Sequence, residues 1–169
     1  WSLEVLAVRG DGYHELRSVL QTISLCDTIT LESTQDLTLE ITGDADMLED
    51  NPLESNLAYR AAVALRERTG MRTGARITLD KRIPIAAGLG GGSSDAASVI
   101  RGLNLLWNAG QTAANLAEIA GEVGADPPFF VHGVTAAISG RGDTVENLRD
   151  AVSPSIMIAT SCHVSLQIA

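Results

Sequence analysis

Pro84-Ile-Ala-Ala-Gly-Leu-Gly-Gly-Gly-Ser-Ser-Asp-Ala-Ala-Ser98 is the stretch whose reading decides the fold. It places Gly88, Gly90, Gly91 and Gly92 within five positions and follows them with Ser93, Ser94 and Asp95. Glycine lets the backbone turn sharply and approach a ligand without a Cβ in the way. Ala97, Ile100, Leu103 and Trp107 then recur at helical spacing, so the run opens an amphipathic helix. The first turn of a helix carries unpaired N–H groups and the positive end of its dipole, which together suit an anion such as phosphate. Upstream, Ile77 and Leu79 alternate as in a strand. A strand, a glycine run and a helix in that order make an anion cradle, not a linker.

The cradle differs from familiar nucleotide loops. No lysine follows its last glycine, as G-x-x-x-x-G-K-[ST] requires, and no dinucleotide fingerprint is present. Positive charge must therefore come from elsewhere, and Lys81 and Arg82 just before the loop are the candidates. Ser93 and Ser94 can cap the helix, contact a metal ion, or both.

Outward from this centre, the pattern alternates strands and helices. Strands are expected over residues 2–8, 18–25, 28–32, 37–41, 75–80 and 135–139. Helices are expected over 56–68, from the glycine run to Trp107, and over 112–123, with a tight break at Gly124-Ala-Asp-Pro-Pro128. Strands first and helices mixed with strands later predict an α+β fold with helices on one face of the sheet.

The whole chain sets the limits. Its 169 residues suit one domain, and 45% hydrophobic content with only 4% aromatic residues implies an aliphatic core. A net charge of −9 argues against a nucleic-acid partner, whose phosphates need a basic footprint. No apolar run is long enough to cross a membrane, and the first residues lack the features of a signal peptide, so a cytoplasmic setting is the default expectation. Cys26 and Cys162 form no disulfide framework and read as small apolar fillers. His132 and His163 have no partner at a meaningful spacing. The chain begins without Met and with strand-like alternation already under way, so it is expected to be clipped.

The spacing Pro-x-x-x-Gly-Leu-Gly-Gly-Gly-Ser-Ser-Asp-Ala-Ala resembles the phosphate-binding motif of the GHMP kinases. Asp11-Gly-Tyr-His-Glu-Leu16, Gly124-Ala-Asp-Pro-Pro-Phe-Phe130 and Gly140-Arg-Gly142 resemble further segments of one branch, which phosphorylates a hydroxyl of a cytidine-diphospho sugar alcohol in non-mevalonate isoprenoid synthesis. The resemblance implies the GHMP N-terminal domain, of the ribosomal protein S5 domain 2-like fold, with a mainly antiparallel mixed sheet. It implies an ATP-binding domain over residues 1–150, with 151–169 a truncated or aberrant start of a C-terminal domain. It implies ATP and Mg²⁺ as cofactors, a small-molecule substrate, and little turnover from the fragment alone. ATP would be bound by Asn56, Lys81, Pro84, Gly88, Leu89, Gly90, Gly91, Gly92, Ser93 and Ser94, with Ser94 also on the metal. Tyr13 and His14 would hold the cytidine end, and Asp126 would be catalytic. From residue chemistry alone, Asp126 before two prolines reads equally as a turn or helix-cap residue, and Asn56 as an N-cap. Another GHMP kinase, of homoserine or mevalonate type, and a nucleotide-binding remnant without activity are the competing expectations.

Overall fold

A computed structural model describes residues 2–8, 10, 12, 14–44, 52–133, 135–140 and 144–148. The strands divide between two sheets. In the first, β1 (Ser2–Val8), β2 (His14–Gln21), β6 (Thr135–Gly140) and β7 (Thr144–Asn147) lie in the order β1-β2-β6-β7, antiparallel throughout. In the second, β5 (Gly74–Lys81) lies between β3 (Thr28–Thr34) and β4 (Leu37–Gly43). Its pairing with β3 is antiparallel and with β4 parallel.

Alternation explains the second sheet. Ala75, Ile77 and Leu79 point inward from β5, joined by Ile29 and Leu31 from β3 and Leu37 and Leu39 from β4. The other face carries Thr30, Glu32, Thr38, Glu40 and Arg76, all exposed. Against the apolar face pack α1 (Leu57–Thr69) and α2 (Gly91–Leu106), with α3 (Ala113–Val123) packed on both helices. Their contacts are rich in alanine, with Ala58, Ala61, Ala62, Ala96, Ala97 and Ala120 buried, so the helices approach closely around Leu65, Ile100, Leu103 and Ile119. At Gly102 any side chain would overlap Leu31, so helix α2 meets strand β3 through bare backbone. Trp107 closes the layer: its Nε1 donates to the Gly74 carbonyl at 3.2 Å, tying the end of α2 to the start of β5.

The first sheet has a smaller core, in which Leu20, Ala136, Ile138 and Val145 pack on Phe129. Phe129 belongs to α4 (Pro127–His132), a short helix where a tight break was expected. Proline is tolerated at the first helical positions because their N–H groups have no intrahelical partner, so two prolines open this helix instead of preventing it. Phe130, edge-on to Phe129 at 4.9 Å between ring centres, touches both cores and joins the two sheets.

The strand expected over 18–25 is displaced: β2 spans His14–Gln21, and residues 22–27 form the link to β3. The reason is pairing. Gln21 faces Thr135, the first residue of β6, so the ladder ends there. Cys26, expected to be a buried filler, lies in that link and is exposed. Tyr13, the Arg141-Gly142 pair, Cys162, His163 and residues 151–169 lie outside the described residues.

Candidate functional site

Strand β5 delivers the chain to the glycine loop, residues 82–90, and α2 carries it away. The loop turns through left-handed backbone at Ala86 (φ 59°), Gly88 (72°) and Gly90 (71°). Gly90 is the N-cap of α2, and a side chain there would meet both that backbone penalty and the Phe130 ring, whose Cζ lies 2.9 Å from the position of a Cβ. The Gly90 carbonyl accepts the first helical bond from Ser94 N–H at 2.9 Å. With glycine at the N-cap, no side chain covers the N–H groups of Gly91, Gly92 and Ser93, which lead the positive end of a 16-residue helix.

Two cavities flank this loop. The first, ≈ 660 Å³, lies between the loop, the end of β4 and the start of α1; Asn56, Lys81, Pro84 and Ser93 are in its wall. The second, ≈ 860 Å³, lies between the loop, the β2–β3 link, α2 and α4; Ser94, Ser98, Arg101 and Asp126 line it. Each is large enough for a nucleotide-sized ligand. Ile83, Gly88, Leu89, Gly90 and Asp95 line both, so the loop is a partition seen from two sides. The two serines separate across it by the helical turn between neighbours, Ser93 on one side and Ser94 on the other.

Several expected site residues are brought together. Asn56 caps α1, its Oδ1 accepting the Ala58 N–H at 2.9 Å, and it lines the first cavity with an amide nitrogen that the cap does not use. The Ser94 hydroxyl donates to the Gly91 carbonyl at 2.8 Å, which leaves its oxygen lone pairs available to a cation. Asp126 occupies the N-cap position of α4, yet its side chain makes no capping hydrogen bond and it is exposed in the second cavity. His14 is exposed at the first position of β2, paired with Val8, outside the linings of these two cavities.

Lys81 is in the first cavity's wall, but its charge is committed. Its side chain is 5% exposed and donates to Asp27 Oδ2 at 2.5 Å and Asp95 Oδ2 at 2.8 Å. Two carboxylates around one ammonium leave this buried group one negative charge in excess. Burial works hardest against each member. It pushes the Asp95 carboxyl up to about 6, with the Lys81 ammonium acting against it. Asp27 is also raised by burial, but hydrogen bonds from the Arg82 and Ile83 N–H groups and from Lys81 outweigh this and hold it below the usual value. For Lys81, desolvation lowers the ammonium while both carboxylates raise it, and the carboxylates win. Arg82, the other candidate cation, pairs at the surface with Asp80, its Nε and Nη2 lying 3.1 and 3.0 Å from Oδ2. The loop thus meets an anion with backbone N–H groups and no surplus side-chain cation from either residue.

Asp27 and Asp95 were missed as partners of Lys81 by sequence reasoning, although two signals were present. Lys81 continues the inward alternation of Ala75, Ile77 and Leu79, and Asp95 precedes Val99 by one helical repeat on the buried stripe of α2. Nothing in the sequence marks Asp27.

Comparison with known proteins places this geometry. Residues 56–134 match the GHMP kinases N terminal domain. A 4-diphosphocytidyl-2-C-methyl-D-erythritol kinase of Bacillus cereus is 44% identical over 158 residues, covering 94% of this chain and 54% of the relative. A crystal structure of 4-(cytidine 5'-diphospho)-2C-methyl-D-erythritol kinase superposes with a TM-score of 0.71 at 41% identity, covering 86% of this chain and 50% of the other. Homoserine kinase from Cytophaga hutchinsonii shares the fold at a TM-score of 0.57 and 18% identity, covering 73% of this chain and 42% of that one. The chain spans about half the length of the curated relatives it matches. With its glycine loop inside the matched segment and its α+β layers superposing on these kinases, the chain carries a GHMP kinase N-terminal domain.

Proposed function

We propose that this domain binds ATP at the glycine loop and serves a kinase that phosphorylates a hydroxyl of 4-diphosphocytidyl-2-C-methyl-D-erythritol. The observation that carries the reading is the shared partition: Asn56 stands in one cavity, Asp126 in the other, and the glycine loop with the start of α2 forms the wall they share. Phosphoryl transfer asks for that layout, because catalysis rests on holding the nucleotide phosphates in line with an acceptor hydroxyl and neutralising charge. Asn56 would contact the base. Pro84, Gly88, Leu89 and Gly90 would wrap the phosphates, with the N–H groups of Gly91, Gly92 and Ser93 pointing at them. Lys81 would act from beneath the loop, its third N–H remaining for a phosphate oxygen. Asp126 would orient the acceptor hydroxyl or take its proton. Tyr13 and His14 would hold the cytidine end.

Hard oxygen donors suit Mg²⁺, and Ser94 Oγ offers one beside the loop; the ion would offset part of the triphosphate's negative charge. Residues 1–150 would form the ATP-binding domain. A cytoplasmic setting goes with such a small-molecule substrate.

The test is ADP formation by the full-length kinase that this domain serves, with three acceptors in turn. Turnover with the cytidine-diphospho substrate alone supports the reading, whereas comparable turnover with mevalonate or homoserine refutes it. Asp126→Asn is expected to lower turnover by about 10²-fold or more while leaving MgATP affinity and thermal stability unchanged, since its carboxylate caps no helix.

A further inference from the structure

Both ends of the glycine loop are fastened to one side chain outside it. Asp27 lies in the β2–β3 link, 54 residues from Lys81, and its side chain is 2% exposed. Its Oδ1 accepts the backbone N–H groups of Arg82 at 2.6 Å and Ile83 at 2.8 Å, the first two residues of the loop. Its Oδ2 accepts from Lys81 Nζ, which donates in turn to Asp95 in the opening turns of α2, just past the loop's far end. A Cβ on Gly91 would lie 3.4 Å from that same nitrogen, so the ammonium sits directly under the helix start. Asp27 also belongs to the wall of the second cavity.

From this geometry we infer that Asp27 is a positioning residue for phosphate binding. It fixes the distance between the start of the loop and the first turn of α2, and so sets the arrangement in which the loop's N–H groups meet an anion. Three features of its bonding fit that role. The carboxylate receives two adjacent main-chain N–H groups and an ammonium, and charge-assisted bonds of this kind are short and directional. Their burial keeps water from replacing them. The loop between the anchored ends contains left-handed backbone at Ala86, Gly88 and Gly90, which holds only where its surroundings determine it. The link carrying Asp27 faces the second cavity, so displacement of that wall is transmitted to the phosphate side. Lys81 then has a second duty: it carries the anchor from Asp27 to α2.

The inference rests on reading the glycine loop as a phosphate site, and the experiment separates the two. Two readouts are taken on the wild type, Asp27→Asn and Asp27→Ala: the affinity for ATP with excess Mg²⁺, and amide exchange resolved to single residues. Asparagine keeps a carbonyl oxygen for the Arg82 and Ile83 N–H groups; alanine keeps none. The alanine variant is expected to lose about tenfold or more in affinity, with faster exchange at Arg82, Ile83 and Gly88–Ser93 and unchanged protection at Ile119 and Ile138. The asparagine variant is expected to retain protection at Arg82 and Ile83 but, with an amide NH₂ where Oδ2 accepted from the Lys81 ammonium, to bind MgATP with an affinity between those of the wild type and the alanine variant. Wild-type affinity in the alanine variant overturns the inference. So does uniform loss of protection across α3 and β6, which would make Asp27 a general stabiliser. If alanine prevents folding, the asparagine variant decides, and wild-type affinity with wild-type exchange at Gly88–Ser93 in it overturns the inference. A wild type that fails to bind MgATP defeats the phosphate-site reading itself, whatever the exchange shows.

Discussion

Replacing Asp95 by asparagine removes one of the two carboxylates that share the Lys81 ammonium, and the effect should depend on pH in an unusual direction. Asp95 is 4% exposed, and burial raises its carboxyl from 3.8 to about 6. Between those values the folded chain holds a proton that the unfolded chain has lost. Stability therefore falls as pH rises from about 4 to about 6 and levels off above, the reverse of the usual carboxylate behaviour. Two pKa units at 1.36 kcal/mol each give about 3 kcal/mol as the upper size of the effect. Its partners do not titrate in this window. Asp27 is held below 3.8, so its stabilising effect is lost only under stronger acid, and Lys81 is raised above 10.5, so its effect is lost only in alkali. Asparagine keeps an oxygen for the Lys81 bond while removing the excess negative charge. Urea denaturation of wild type and Asp95→Asn at pH 5 and pH 7.5 isolates the difference, because other titrating groups are common to both. Of the full effect, the wild type should gain about 1.4 kcal/mol relative to the variant between pH 7.5 and pH 5, one pKa unit below the folded value, and the variant should match or exceed it at pH 7.5. Parallel pH dependence in the two proteins, or a variant destabilised by several kcal/mol at pH 7.5, would refute the reasoning.

Two substitutions test the architecture around the loop. Gly90→Ala places a methyl group against Phe130 in left-handed backbone, and should cost about 1–3 kcal/mol in denaturation and weaken MgATP binding together with it. Trp107→Phe leaves the buried Gly74 carbonyl without its 3.2 Å donor, and a loss of about 1–3 kcal/mol is expected from thermal unfolding, with loop-dependent ligand binding untouched.

How much was legible in the sequence depended on whether a residue's role followed from its neighbours along the chain. The glycine run, its helix and the cap at Asn56 are local chemistry and stand where the sequence puts them, although the N-cap of α2 is Gly90 and not Ser93 or Ser94. Where pairing decides, the pattern misleads. Leu25 continues the alternation of β2, but β6 begins opposite Gln21 and offers it no partner. The parallel register of β4 on β5 likewise follows from packing between distant segments. At the site, period-two and helical-stripe arguments applied to polar residues would have buried Lys81 and Asp95. The stripes in the sequence are traced through apolar residues alone, so Lys81 stands there only as a cation beside the loop. Asp27 shows the opposite limit: its partners are 54 to 56 residues away, and no local pattern predicts them.

The partition between the two cavities also bears on ligand design. Because Ile83, Gly88, Leu89, Gly90 and Asp95 face both sides, two fragments seated on either side touch the same wall. A short tether passing over Gly88–Gly90 would make the second contact intramolecular, at an effective concentration in the millimolar range for a flexible link of matching span. Weak fragments that each occupy one cavity would then combine into a bivalent inhibitor without any new protein contact.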